Sequence, residues 1–192
     1  IRWNVIFSKL PLRTMQDAAR AKMWQWQGDT LVQAMFKTFD ISPVPLALPD
    51  VLPSLQSGLI DACYNTPLGM LALQWFTRVK YRVLPAITRV IGALVVTRHQ
   101  WQKLSPDQQA LVKETVRTYV AKATASVRQY EQKALPLLVS SGIEDISLPP
   151  DDVNHLRQRS EQLRQELAGK LYSQALLSRV LALRDQYRQA NP

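Results

Sequence analysis

Few residues in this sequence are of a kind that makes or breaks covalent bonds. There is one cysteine, Cys63, and there are two histidines, His99 and His155, far apart along the chain. Cys63 and His99 would be the only nucleophile–base pair to consider. Yet Cys63 lies in the apolar stretch LIDACYN, where a free cysteine packs as a small hydrophobe. A single cysteine forbids an internal disulfide. That fits the cytoplasm, and equally an exported protein that needs no bridges. Asp145, Asp151 and Asp152 read as loop and capping residues rather than an acid–base pair. No Cys/His spacing suits zinc, and G-x-x-x-x-G-K, G-x-S-x-G and H-E-x-x-H are absent. Glycine is scarce, at six residues, too few for phosphate-cradling loops. The expectation is a protein with no catalytic residues, no metal site and no cofactor.

The residues able to bind are more suggestive. In KMWQWQGD, Lys22 to Asp29, two tryptophans stand one residue apart, which puts both rings on one face of a strand. They either pack in a core or stack on a ligand, and the sequence leaves both readings open. A second stretch, LPDVLPSLQSGLIDACYN, ends a helix at Gly58, turns into a strand and finishes on Asn65. In open parallel sheets ligands bind beyond the carboxyl ends of the strands. Trp24 and Trp26 close one strand there and Asn65 closes another. Tryptophan brings flat apolar area and one N–H; asparagine brings a donor and an acceptor. Tyr64, beside Asn65, and Asn4, on the opening strand, complete the candidate binding residues.

The elements that would position them follow from patterning. Trp3–Phe7 and Lys22–Trp26 read as strands. Leu31, Met35 and Phe39 recur at helical spacing behind Asp29. SPVPLA is extended, with prolines that suit an edge. Asp50 caps a helix that keeps Pro53 in its first turn and stops at Gly58. The order strand–helix–strand–helix–strand predicts right-handed parallel crossovers. A helix follows over Thr66–Phe76, then two strands, VKYRVL and TRVIGALVVTR, the second buried on both faces. Ser105, Pro106 and Asp107 start a helix of about 30 residues, which Pro136 kinks or ends and Gly142 closes. Its length implies that it bridges two lobes. IEDISL is a last strand. Two helices parted near Gly169 follow, with Leu156, Leu163 and Leu167 as the buried stripe of the first.

Composition sets the outer limits. The chain has 192 residues, 46% of them hydrophobic, enough for a core. No apolar run approaches the roughly 18 residues of a membrane span. The net charge is +9, with acids interleaved among the bases. It fits a nucleic-acid binder, a protein on an acidic membrane, or a basic protein with neither partner. The opening IRWNVIF already reads as a strand and has no initiator Met, so a chain cut from something longer is expected.

Taken together, PVPLALPDVLPSLQSGLIDACYN, the following VKY and the later WQKLSPDQQALV resemble the extracytoplasmic solute-binding subunit of tripartite ATP-independent periplasmic (TRAP) transporters, the DctP-like family. The resemblance runs from about Phe7 to Gly142 and lies in the combination. It implies an α/β fold of the periplasmic solute-binding type: a parallel-rich sheet lobe, a long bridging helix and C-terminal helices. Residues 1–104 would form the second lobe, with crossover strands near 79–97. Residues 105–141 would be the bridging helix, and 142–192 a strand with the C-terminal helices. Family members are about half as long again, so most of the first lobe would be absent. The implied partners are a small-molecule ligand and a TRAP-type membrane permease, with no nucleic acid, in the periplasm, as a monomer or weak homodimer.

One departure bears on the ligand. Many members carry an arginine on the strand corresponding to KMWQW, where it forks onto a substrate carboxylate. The matching position here is Trp24. The expectation is a ligand other than a simple carboxylate, unless a further cation such as Arg2 reaches in. The rival reading is a basic helical interaction module that binds nucleic acid or an acidic membrane through its C-terminal helices.

Overall fold

The computed structural model describes residues 3–191. Arg2 lies outside them. Six strands form one sheet in the order β3-β2-β4-β1-β5-β6. They are β1 (Trp3–Ser8), β2 (Met23–Trp26), β3 (Pro43–Leu46), β4 (Ala62–Asn65), β5 (Tyr81–Arg89) and β6 (Glu144–Ser147). β2 is parallel to β3 and β4, and β5 is parallel to β6. β1 alone is reversed, antiparallel to both β4 and β5. The sheet is therefore parallel-rich, as expected. The first crossover is a correction: β1 and β2 are neither adjacent nor parallel. The reversal sets the start of β1 beside the ends of β4 and β5, with Val5 opposite Asn65 and Trp3 opposite Arg89.

The helices form where their ends are satisfied. α1 (Met15–Arg20) opens on a capping box between Thr14 and Asp17, and those hydrogen bonds, chiefly Thr14's, hold the Asp17 carboxyl below its usual range. α2 (Thr30–Thr38) is capped by Asp29, whose Oδ1 accepts from Val32 N at 3.0 Å. It buries Val32 and Phe36, one residue on from the expected stripe. α3 (Val51–Ser57) ends at Gly58 with φ +78°, a left-handed position that glycine reaches without strain. Asp50 makes no side-chain cap, contrary to expectation, because a 3₁₀ turn over Leu48–Asp50 runs straight into α3. The helix expected over Thr66–Phe76 is interrupted: α4 (Pro67–Ala72) stops, Gln74 takes φ +57°, and a 3₁₀ turn covers Trp75–Arg78.

Two larger differences concern the second half. β5 is one strand, and the apolar run after it is not a strand at all. Trp3–Arg89 is the last pair of the β1–β5 ladder, and the backbone of Val90–Val96 finds no neighbour beyond it. Those side chains are exposed, Ile91 by 90% and Val95 by 87%. The short α5 (Arg98–Trp101) then leads to α6 (Pro106–Ser140), 35 residues without a break. Ser105 and Gln108 form its capping box. Pro136 does not end it. Ala134 and Leu138, buried on either side of the proline, hold the last turns against the core. That contact offsets the roughly 3 kcal/mol an interior proline costs. α6 rests on α4.

β6 re-enters the sheet beside β5. Asp145, expected in a loop, lies on β6 and receives a two-pronged contact from Arg82, with Nε at 2.7 Å. α7 (Pro150–Leu167) and α8 (Gln174–Ala190) part at Gly169, and Leu163 and Leu177 are their buried residues. α7 is tied to α1 by Met15 N, which donates to Asp152 Oδ2 at 2.9 Å.

Candidate functional site

The directions of the strands define one rim. β2, β3, β4, β5 and β6 all end on it and β1 begins on it. Trp26, Leu46, Asn65 and Arg89 close their strands there, and Trp3 and Asn4 open theirs. This is the edge at which an open α/β sheet takes ligands.

Beneath the rim lies an aromatic cluster. Trp24 is 1% exposed and stacks on Tyr64, with ring centroids 4.8 Å apart and 24° between planes. Trp75 meets it edge-on at 5.3 Å, and the Trp24 Nε1 donates to the Leu46 carbonyl at 3.1 Å. Its face, its edge and its one polar atom are thus all engaged. Trp24 cannot itself wall a ligand in this arrangement, which corrects the expectation for that residue. Trp26 can: it is 49% exposed and lies over Trp24 with centroids 6.2 Å apart. The Trp-x-Trp spacing did place both rings on one face. One became the base and the other the surface.

Tyr64 also belongs to the base. It is buried, Phe36 packs edge-on against it, and its hydroxyl oxygen accepts from Trp26 N at 3.1 Å. Burial raises its phenol to about 12, so it is a neutral support at any physiological pH. Asn65 is half-buried at the rim. Its Oδ1 accepts from Thr66 N at 2.8 Å, and Thr66 in turn caps α4 through Gly69 N. The amide lies so close over that turn that a Cβ at Gly69 would fall 2.1 Å from Oδ1. Glycine there lets Asn65 fold down with its Nδ2 group left to donate. Asn4 is half-buried on β1, paired with Thr88, beside a bulge in the ladder.

Two rim features were not expected from sequence. Arg89 lies over the Trp3 ring at 4.7 Å from its centroid, a cation–π contact that holds a positive charge at the rim. Trp75 completes the aromatic base. Neither had a signal in the sequence, because each pairs with a residue more than 45 positions away. Cys63 is fully buried, and burial pushes its thiol up, which removes it as a nucleophile. No group of three His, Cys, Asp or Glu residues able to hold a metal occurs among the described residues. Nor is any helix among them long and apolar enough to cross a membrane.

The rim sets exposed aromatic area and an amide donor over a buried aromatic base. The fold is that of an α/β protein with an open rim at its strand ends, the place where such sheets take ligands. More narrowly, residues 3–170 match the DctP family, described as bacterial extracellular solute-binding protein, family 7, and the chain belongs to that family. Members of this family are solute-binding proteins, not enzymes. A protein of Salmonella typhimurium, YiiZ, described as uncharacterized, is 25% identical over 117 residues, 61% of this chain and 36% of its own. A TRAP periplasmic solute-binding protein from Fusobacterium nucleatum, solved with sn-glycerol-3-phosphate, superposes with a TM-score of 0.82 at 17% identity, covering 98% of this chain and 59% of its own. One from Pseudomonas putida F1, solved with D-glucuronate, gives 0.72 at 23%, covering 85% and 52%. At these identities the superpositions establish the fold. The chain spans between about a third and three fifths of the length of these relatives.

Proposed function

We propose that this chain is the ligand-contacting part of an extracytoplasmic solute-binding protein that delivers its solute to a TRAP-type permease. What supports this reading is the rim, where the ends of β2 and β4 and the start of β1 set Trp26, Asn65 and Asn4 along one edge of the sheet, above a packed aromatic base. Trp26 offers the face on which an apolar or sugar-like ring stacks, and Asn65 offers a donor. α6 reaches far beyond the sheet and would form the bridge to a second lobe that closes over the ligand. Residues 3–104 with β6 would then be one lobe.

The ligand we infer is neutral or partly apolar. The strand that would carry a carboxylate-binding arginine carries Trp24, and a buried carboxylate without a paired cation costs several kcal/mol. One observation favours a second reading, an acid sugar: Arg89 stands at the same rim. Relatives solved with D-glucuronate and β-D-galacturonate make that class worth testing.

Calorimetry decides between them with a neutral pyranoside, D-galacturonate and a simple dicarboxylate. The neutral-ligand reading expects the pyranoside to bind tightest and Trp26→Ala to weaken it by about ten-fold or more, the loss of one stacked aromatic contact. If galacturonate binds tightest and Arg89→Ala removes its advantage, the acid-sugar reading replaces it. Tight dicarboxylate binding that neither variant changes would sink the rim as the site.

A further inference from the structure

A cavity lies beside the aromatic base, sharing Phe36 with its edge and Trp3 with the rim. It has a volume of about 570 Å³, between the sheet at β1 and β5 and the helices α1, α2, α7 and α8. Its floor and walls are apolar, among them Ile6, Phe36, Phe39, Val83 and Leu156. Trp24, Trp26, Tyr64 and Asn65 are not in its lining. Its helical side has the opposite character: Arg157 and Arg164 on α7, Arg184 and Arg188 on α8, and one acid, Glu161. Arg164 and Arg184 both spend their charge on Glu161, at 3.1 and 3.7 Å. Arg184 also holds Asp185, at 2.8 Å. Arg157 and Arg188 make no ion pair among the described residues, although Asp185 feels Arg188 at longer range.

We propose that this cavity is a binding site for an amphipathic monocarboxylate, its apolar body against the sheet and its carboxylate between Arg157 and Arg188. Three observations support this. The volume lies in the range of small-molecule sites, about 300–1,000 Å³. The lining is apolar on one side and cationic on the other, which matches a molecule with two unlike ends and matches neither a sugar nor a hydrocarbon. The spare charge is two guanidinium groups, the number one carboxylate engages when it is held from both sides. Both guanidinium groups are solvent-exposed at the mouth of the cavity and unpaired among the described residues, so an anion with an apolar tail engages both surfaces at once. The chain exposes other apolar area, at Val90–Val96 and on α6 and α8. A fatty chain could adhere there without a site, so the test must separate adhesion from occupancy.

Decanoate, decanol and decyl phosphate serve as probes in calorimetry with the 192-residue chain at fixed ionic strength. Decanoate is expected to bind with one site per chain and not to compete with D-galacturonate. Arg157→Ala together with Arg188→Ala should weaken decanoate by about ten-fold, the loss of charge-assisted hydrogen bonds, and leave decanol unchanged. Ala86→Trp, which puts an indole into the cavity and leaves every exposed apolar surface intact, should abolish decanoate binding. Retained decanoate binding in Ala86→Trp overturns the proposal, because the chain is then adhering elsewhere. So does equal weakening of decanoate and decanol by the arginine variants, and so does decyl phosphate that binds ten-fold tighter than decanoate. The arginine variants lie on the surface of α7 and α8 and keep the test decisive if Ala86→Trp fails to fold. Competition by galacturonate would overturn this inference and leave the rim reading standing.

Discussion

Trp24 and Trp26 are two residues apart and do different work, and the reason is depth. Trp24 has its face on Tyr64, its edge on Trp75 and its N–H on Leu46. Trp24→Ala should cost about 3–5 kcal/mol of stability, read as a lower urea midpoint, because it empties a packed site. Trp26→Ala should leave the midpoint nearly unchanged and act on binding alone. If the two variants lower the midpoint equally, the division into base and surface is wrong. Tyr64 gives a second handle at this scale. Its phenol moves from about 10 unfolded to about 12 folded, chiefly by burial. A group whose folded pKa is raised stabilises fully below its unfolded pKa and loses that contribution as pH rises through the folded value. Stability should therefore fall between pH 10 and 12 by roughly 2–3 kcal/mol. Tyr64→Phe should flatten that limb while lowering stability near neutral pH, since Trp26 N loses its acceptor. An unchanged alkaline limb in Tyr64→Phe would assign the loss to other groups. The sequence showed that Trp24 and Trp26 share a face, because period two is local. It could not show their depth, because Trp75 and Tyr64, which bury Trp24, are brought to it by the sheet.

Among the elements, α6 shows how unevenly one helix can be held. Its cap, its proline at the first position and its unbroken run were legible, because caps and helical pattern lie within a few residues of each other. Its continuation past Pro136 was not, because the contacts of Ala134 and Leu138 are non-local. Only that last quarter contributes buried residues. Leu111, Val112, Tyr119 and Val120 stand exposed on the rest. Leu138→Ala should thus cost about 2–5 kcal/mol, while Val120→Ser should be close to neutral. Amide exchange should follow the same division, slow near Leu138 and fast before about residue 125, where few buried contacts resist opening. Uniform protection along the whole helix would mean that something covers the free portion. The opposite lesson comes from Val90–Val96. Seven residues of strand composition form no strand, because β-structure needs a partner and the ladder ends at Trp3–Arg89. Composition registered the hunger for burial and could not register the missing neighbour.

At the scale of the molecule these exposed surfaces add up. Ile91, Leu94 and Val95 stand out on the extended segment, Leu111 and Tyr119 on α6, and Leu176, Val180, Leu183 and Tyr187 along one side of α8. Scattered apolar side chains on a surface are ordinary, but runs of them along three elements are surface that water disfavours and that promotes association. Charge opposes association: a net +9 keeps copies apart at low ionic strength. The two effects have different salt dependence, which separates them. Salt screens the repulsion, with a Debye length of about 10 Å at 0.1 M and about 3 Å at 1 M, and leaves apolar contact intact or strengthened. The 192-residue chain should therefore be largely monomeric in dilute, low-salt solution and associate increasingly as salt rises. Sedimentation velocity over a concentration series reads this directly. Leu94→Asp with Val95→Asp should move the onset to higher concentration without altering the urea midpoint, since neither side chain is packed in the folded chain. If the chain stays monomeric at every salt concentration, the apolar surfaces do not make a coherent patch. The case for a second lobe covering them then loses its physical support. If association falls with salt instead, the contact is electrostatic, and the basic C-terminal helices rather than the apolar surfaces would be its cause.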